Sequence, residues 1–294
     1  MNLPALAMAF GVTWTPVPVP VAKVVQVVDN PGAASGTEWT YDASAVFDAS
    51  GAARTWDEAL DDLATARVVA VGEQHDDAAH HKIQAEVLSG LAKRTPRLAV
   101  AFEMVGYEDQ AVLDSFMSGA LPETDFAVWW KTNWGFDFAI YKPIFDAAKA
   151  AGVPAYGLNA PRDVVKSVSK RGLASLTPAE RARIPATIAE SSDERYRQYV
   201  LDSVSGHGAP PEAVARMVEA MAVWNETMGE KVANLTAEGR TVLVIAGQGH
   251  VLFKAGIPES AARRGAAPIK VLLPFPDKPQ ADDLVLADWF RVTP

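Results

Sequence analysis

Two kinds of hydrophobic pattern alternate along the chain. Short, nearly continuous apolar runs occur at residues 67–72 (RVVAVG), 97–103 (RLAVAFE), 153–158 (VPAYGL), 241–246 (TVLVIA) and 269–273 (IKVLL). Such runs predict strands buried on both faces. Between them, apolar positions recur every three or four residues. Thr55 opens a helix to residue 66, with Glu58 completing a capping box. Residues 76–94 place Ile83, Val87, Leu88 and Leu91 on one side, and further helices are predicted at about 107–119, 138–151, 160–171 and 258–264. Strands alternating with helices predict an α/β fold, a mainly parallel sheet flanked by helices.

The alternation breaks between 160 and 238. Residues 177–183, 191–205 and 210–237 read as helices with no strand among them. This predicts a smaller helical lobe, 160–238, set into an α/β core formed by 55–159 and 239–294. Residues 13–53 are rich in Pro, Gly, Ala and Ser, so 1–54 reads as an extended arm. Its first 12 residues are apolar without a positive n-region and suggest the remnant of an export signal. No run of 18 apolar residues predicts a membrane span.

Composition narrows the chemistry. The 294 residues include no cysteine, five histidines and a net charge of −9. Thiol nucleophiles, iron–sulfur clusters and zinc fingers are thereby excluded, as is a lipidation cysteine within this sequence. The negative charge and the lack of a dense basic patch argue against nucleic acid as a partner. Any metal site must be built from His, Asp, Glu, Tyr or carbonyl oxygens.

In an open α/β sheet, ligands bind outside the carboxyl ends of the strands. The first predicted strand leads into Gly72-Glu73-Gln74-His75, the second ends at Glu103, the third leads to Asn159 and Arg162, and the fourth into Gly247-Gln248-Gly249-His250. Two Gly-x-x-His turns and a strand-end carboxylate thus converge on one edge. His75, Glu103 and His250 form a candidate ligand set for a divalent transition metal, with Glu73 as a candidate general base on bound water. The same four residues are the candidate catalytic set. The competing reading of each Gly-x-x-His is a plain capping turn. His80 and His81 are either first-turn surface residues or, for His81, a group at the site mouth. His207 is expected in a helix-ending loop.

An aromatic stretch, Trp129, Trp130, Trp134, Phe136, Phe138 and Tyr141, is either core or the wall of a flat apolar ligand. Tyr141 and Tyr107 are the two phenols considered as iron ligands. No phosphate-binding glycine loop and no G-x-S-x-G elbow occurs in the right context, which disfavours nucleotide binding and the usual serine-hydrolase chemistry.

The strings VVAVGEQHDDAAHHKIQ, AFEMVGYEDQAVLDSF, Tyr141-Lys142-Pro143, LNAPR and VIAGQGHVLFKAGIP, in that order, resemble the ChaN-like haem-binding uptake family of the Tiki superfamily. The resemblance spans roughly 55–275. It implies a parallel-sheet α/β domain with a smaller helical domain, haem as cofactor through a tyrosine, and a place in bacterial iron uptake. Tyr141, Tyr107, Trp134, Asn159, Arg162 and His81 are the residues it brings forward as haem contacts. It further implies a periplasmic or envelope location, cell-envelope haem-uptake components as partners and a possible homodimer. Hydrolases of the superfamily place their chemistry on positions matching His75, Glu103 and His250, which implies metal-dependent ester or amide hydrolysis as the alternative. The long helix carries Asn225 where the family pattern tends to an aspartate.

Overall fold

A computed structural model describes residues 45–205 and 209–293. Most of the arm and His207 lie outside the described residues.

The sheet has eight strands: β1 (Val46–Asp48), β2 (Ala53–Arg54), β3 (Val68–Glu73), β4 (Leu98–Gly106), β5 (Ala155–Asn159), β6 (Thr241–Gly247), β7 (Ile269–Phe275) and β8 (Trp289–Val292). Their order is β2-β1-β8-β7-β3-β6-β4-β5. The strands from β8 to β5 are all parallel, and β1 and β2 add an antiparallel edge. The five predicted strands are β3, β4, β5, β6 and β7. The three that the apolar pattern did not reveal are the shortest, and they lie together at one edge.

The helices are α1 (Trp56–Leu63), α2 (Ala78–Ala92), α3 (Gln110–Met117), α4 (Glu123–Asn133), α5 (Phe138–Ala151), α6 (Arg162–Arg171), α7 (Pro178–Arg181), α8 (Glu194–Ser205), α9 (Pro211–Ala237) and α10 (Ile257–Arg263). The capping box of Thr55 and Glu58 forms as expected. That helix stops at Leu63, three residues short of its predicted end, because Ala66 already serves the turn into β3. Helix α4 occupies the aromatic stretch, where apolar residues on every side concealed its periodicity.

Alternation along the strands separates two cores. Val69, Val71, Val100, Phe102, Leu243 and Ile245 face α2–α5. Val68, Ala70, Ala101, Val242, Val244 and Ala246 face the C-terminal half of α9 and α10. The fully buried Trp130, Phe126, Phe145 and Tyr141 pack in the first layer, with Phe116 and Phe126 stacked at 3.9 Å. So most of the aromatic stretch is core. Helices α6 and α8 pack on the N-terminal half of α9 in two smaller clusters. Among the described residues no helix is long and apolar enough to cross a membrane.

Candidate functional site

Register places the chemistry. In the adjacent central strands Glu73 lies opposite Gly247, and Phe102 of β4 lies opposite Ile245 of β6. Glu73, Glu103 and the turn 248–250 therefore share the carboxyl edge of three neighbouring strands. The pairing of β4 with β5 shifts register between Phe102 and Gly106, an irregularity that falls on Glu103. All four histidines of the described residues, 75, 80, 81 and 250, lie at this edge, and all are buried.

Glu73 is the centre of one half. Its Oε1 lies 2.8 Å from Nδ1 of His75 and accepts the Tyr141 hydroxyl at 2.7 Å. Its Oε2 accepts Nε2 of Gln84 at 2.8 Å and lies 3.2 Å from Nδ1 of His81. Burial works against ionising this carboxyl, but the charges and hydrogen bonds of His81 and His75 hold it well below the ordinary carboxylate range. The same exchange raises His75 and His81 against the burial that would lower them. With Nδ1 committed to Glu73, His75 turns Nε2 toward the Gly247 backbone, where a Cβ would sit 2.9 Å from it. Residue 247 must lack a side chain for this ring to fit. Trp134 meets the His75 ring edge-on at 4.9 Å, and Phe136 covers it at 5.6 Å.

Glu103 and His250 form the other half. Oε2 of Glu103 accepts the Gly247 amide at 2.6 Å, and Oε1 lies 3.3 Å from Nε2 of His250. Burial pushes Glu103 up, and the facing His250, with His75 behind it, outweighs that and lowers it. Nδ1 of His250 lies 2.7 Å from Oδ1 of Asn225 on α9. Gly256, at φ +63°, lets the chain pass the His250 carbonyl, which a Cβ there would strike at 2.4 Å.

These bonds bring His75, Glu73, Glu103 and His250 together and alter several expectations about them. Glu73, with all its lone pairs engaged, orients His75; as a free base on water it is poorly suited. Among the described residues no three His, Asp or Glu side chains are grouped to hold a metal ion. Glu73 holds Nδ1 of His75 and Asn225 holds Nδ1 of His250, which leaves Nε2 of each ring, with the Glu103 carboxylate, as the atoms that would hold a metal. His80 and His81 are not surface residues. His80 Nδ1 accepts the Gln74 amide at 2.9 Å and braces the turn, and burial lowers its basicity. His81 supports Glu73.

The haem-contact candidates separate by exposure. Tyr141 is wholly buried; its hydroxyl donates to Glu73 and accepts the Trp134 indole N–H at 3.2 Å, and burial with the Glu73 charge raises its pKa far above the usual phenol value. It fits a hydrogen-bond donor, not an iron ligand. Trp134 is buried against His75, and Asn159 donates to the Glu103 carbonyl at 2.8 Å. Its Oδ1 is buried with no partner. Arg162 is exposed at the start of α6. Tyr107 is half-buried; its hydroxyl reaches the Arg183 carbonyl at 2.8 Å, and Lys231 lies 4.1 Å over its ring. Burial and the adjacent Glu108 raise its pKa.

Two participants escaped the sequence reading, and a third, Asn225, stood out there only as a departure from the family pattern. Gln84 is a fully buried amide beside the apolar stripe of α2, and Tyr196 a buried phenol on α8. Asn225 begins a polar triplet, Asn225-Glu226-Thr227, in the buried stretch of α9, a signal visible in sequence. A cavity of about 300 Å³ between α8, α9 and α10 reaches Tyr196 and Asn225, with Met221 and Val218 on its apolar wall and Arg197 and Glu259 on its polar side.

A family model described as haem-binding uptake, Tiki superfamily, ChaN, matches residues 59–260. The chain belongs to that family. Among solved structures, ChaN of Campylobacter jejuni, described with cofacial heme binding, superposes with a TM-score of 0.66 at 18% identity, covering 85% of this chain and 96% of that one. The fold is therefore that of ChaN. More distant likenesses are the type III effector HopBA1 (TM-score 0.47, 14% identity, 79% and 89% covered) and an erythromycin esterase variant in its open conformation (0.42, 12%, 80% and 78%). A search among curated proteins returned no match.

Proposed function

We propose that this ChaN-family chain binds haem as cargo in bacterial iron uptake. The observation that carries the reading is the family match across 59–260, which spans both strand-end turns and the aromatic layer. Bound haem would supply an iron with an open position for a protein ligand. Of the two phenols, Tyr107 is the one accessible from solvent, beside Lys231, a cation that suits a propionate; the neighbouring Arg183 is already paired with Glu108 and Asp163. On this reading the protein works in the periplasm or cell envelope with haem-uptake components, and haem brings two copies together. Titration with hemin tests it: a Soret shift is expected in the unaltered chain and in Tyr141→Phe, and its loss in Tyr107→Phe. Light scattering with and without hemin checks for the dimer. No Soret change in the unaltered chain would defeat the reading.

One observation favours a second reading, hydrolysis of an ester or amide. Glu73 fixes His75 with Nδ1 engaged and Nε2 facing the Glu103–His250 pair, the arrangement of a base beside a polar partner. Here His75 takes the proton of water at Nε2 and Glu73 orients it; in the metal-assisted version Nε2 of His75 and of His250 and the Glu103 carboxylate would hold the ion. A panel of p-nitrophenyl esters tests it, with metal content measured on the same sample. Turnover that vanishes in His75→Ala supports the reading, and equal turnover in that variant rejects it.

A further inference from the structure

The cavity of about 300 Å³ between α8, α9 and α10 shares no lining residue with the cluster of Glu73, His75, Glu103 and His250. Its size is at the small end for ligand pockets, about 300–1,000 Å³. It is roofed by the segment 182–193, which links α7 to α8 and is fastened at both ends. Arg181 donates to the carbonyls of Ile184, Pro185 and Ala186. At the other end the segment is bonded to Glu259 on α10. Oε1 accepts the Ser192 amide at 2.8 Å and its hydroxyl at 2.6 Å, and Oε2 accepts the Ser191 hydroxyl. The hollow is thus framed by fixed bonds and is not a gap left by loose packing.

Its wall has an apolar and a charged side. Val200, Met221 and Val218 continue the cluster that α8 forms with α9. Leu201 carries this surface to the rim at 41% exposure. A lone exposed leucine needs no explanation, but one continuous with a buried apolar wall marks surface that a ligand would cover. On the charged side Glu226, 2% exposed, pairs with Arg263 and, at 2.6 Å, with Arg264; Arg263 also meets Glu259 at 3.0 Å. Those acids and guanidinium groups balance. At the mouth Glu190 and Glu194 stand against Arg197, which gives Nη1 to the Ser191 carbonyl at 2.8 Å. Among the described residues neither carboxylate is in an ion pair. One negative charge is left over at the mouth of an apolar hollow.

We propose that this cavity is a second ligand site, for a small organic monocation. An aliphatic or aromatic body would lie against Leu201, Val218 and Met221, with a primary ammonium at the mouth facing Glu190 and Glu194. Haem does not suit the site, because its propionates would meet those carboxylates. The inner end is formed by Tyr196 and Asn225, which bond to the Gly249 carbonyl and to His250. A bound amine therefore lies behind the strand edge without entering it. The proposal does not depend on haem binding: absence of a Soret shift would defeat that reading and leave this one standing.

Phenethylamine is the probe, followed by saturation-transfer NMR and by chemical-shift titration of the 15N-labelled full chain. The expected Kd is about 1 mM or tighter. The neutral phenethyl alcohol should bind about twofold to fivefold more weakly, the worth of an exposed ion pair, and the anion hydrocinnamate should show no saturation transfer. Glu190→Gln combined with Glu194→Gln should bring the amine down to the affinity of the alcohol. Val218→Trp fills the apolar wall and should abolish binding of both. The glutamine pair stands at exposed positions, so it reports even where the tryptophan variant does not fold. Hemin should leave the amine affinity unchanged. Absence of amine binding would overturn the proposal, as would equal affinities for amine and alcohol, or an unchanged amine affinity in the glutamine pair. Displacement of the amine by hemin would overturn it too, by assigning the cavity to haem.

Discussion

Inside a protein a carboxylate stays charged only while its oxygens are engaged by donors, and at Glu73 the donors come from four residues on two helices and a turn: His75, Gln84, His81 and Tyr141. Tyr141→Phe removes one of them without opening space. It should cost about 1–3 kcal/mol, the penalty for leaving a buried polar group short of a partner, read as a lower urea midpoint at unchanged slope. Gly247→Ala acts from the other side. Its methyl group would lie 2.7 Å from Cε1 of His75, and that ring is walled by Trp134 and Phe136. Overpacking of this kind costs about 1–3 kcal/mol. The same variant should shift the His75 ring resonances while leaving those of His80 in place. Equal stability of Gly247→Ala and the unaltered chain would mean that the ring has room to move.

Helix α9 joins what the sequence pattern separates. Its N-terminal half carries Val214 and Met221 against α8, while Met228, Val232 and Leu235 in its C-terminal half pack with β3, β6 and β7. One continuous 27-residue helix thus packs both on α6 and α8 and on the sheet. Those helices and the sheet should therefore unfold in a single calorimetric transition, with van't Hoff and calorimetric enthalpies equal; two resolved transitions would show that α9 breaks between them. The elements that were legible in sequence were those whose burial is uniform. β3 and β6 are apolar on both faces and end in Gly-containing turns, so both the strands and their site residues could be read. β1, β2 and β8 have three, two and four residues and gain their order from pairing with one another, which no local pattern records. Likewise Glu73 and His75 were visible as a motif, but whether Glu73 acts on water or on His75 depends on Gln84, His81 and Tyr141, brought in by α2 and α5. Asn225 was noticed as a departure from an acid; its bond to His250 depends on how α9 crosses the sheet.

At the scale of the whole molecule the buried ion pairs set a pH window. Glu73 and Glu103 are lowered from an ordinary value of 4.5. Their contribution is complete above that value and is lost as pH falls below it and the native carboxylates take up protons. His75 and His81 are raised from 6.5, so theirs is complete below that value and fades as pH rises through their native pKa values. For these four groups the two limits enclose a maximum between about pH 4.5 and 6.5, and His80, lowered from 6.5 by burial, works against it on the acid side. Surface charge reinforces the lower side of this range: a chain with net charge −9 at pH 7 sheds self-repulsion on mild acidification as it approaches its isoelectric point near 5.1. Urea unfolding across pH 3–9 should therefore peak on the acidic side of neutrality. Glu73→Gln isolates the buried part: it removes the carboxylate that favours the charged forms of His75 and His81 while removing a single acidic group. In that variant the fall in stability above pH 6.5 should flatten, because the two imidazoles no longer lose an anionic partner when they deprotonate. A profile of unchanged shape in Glu73→Gln would assign the pH dependence to the surface and remove the buried pairs as its cause.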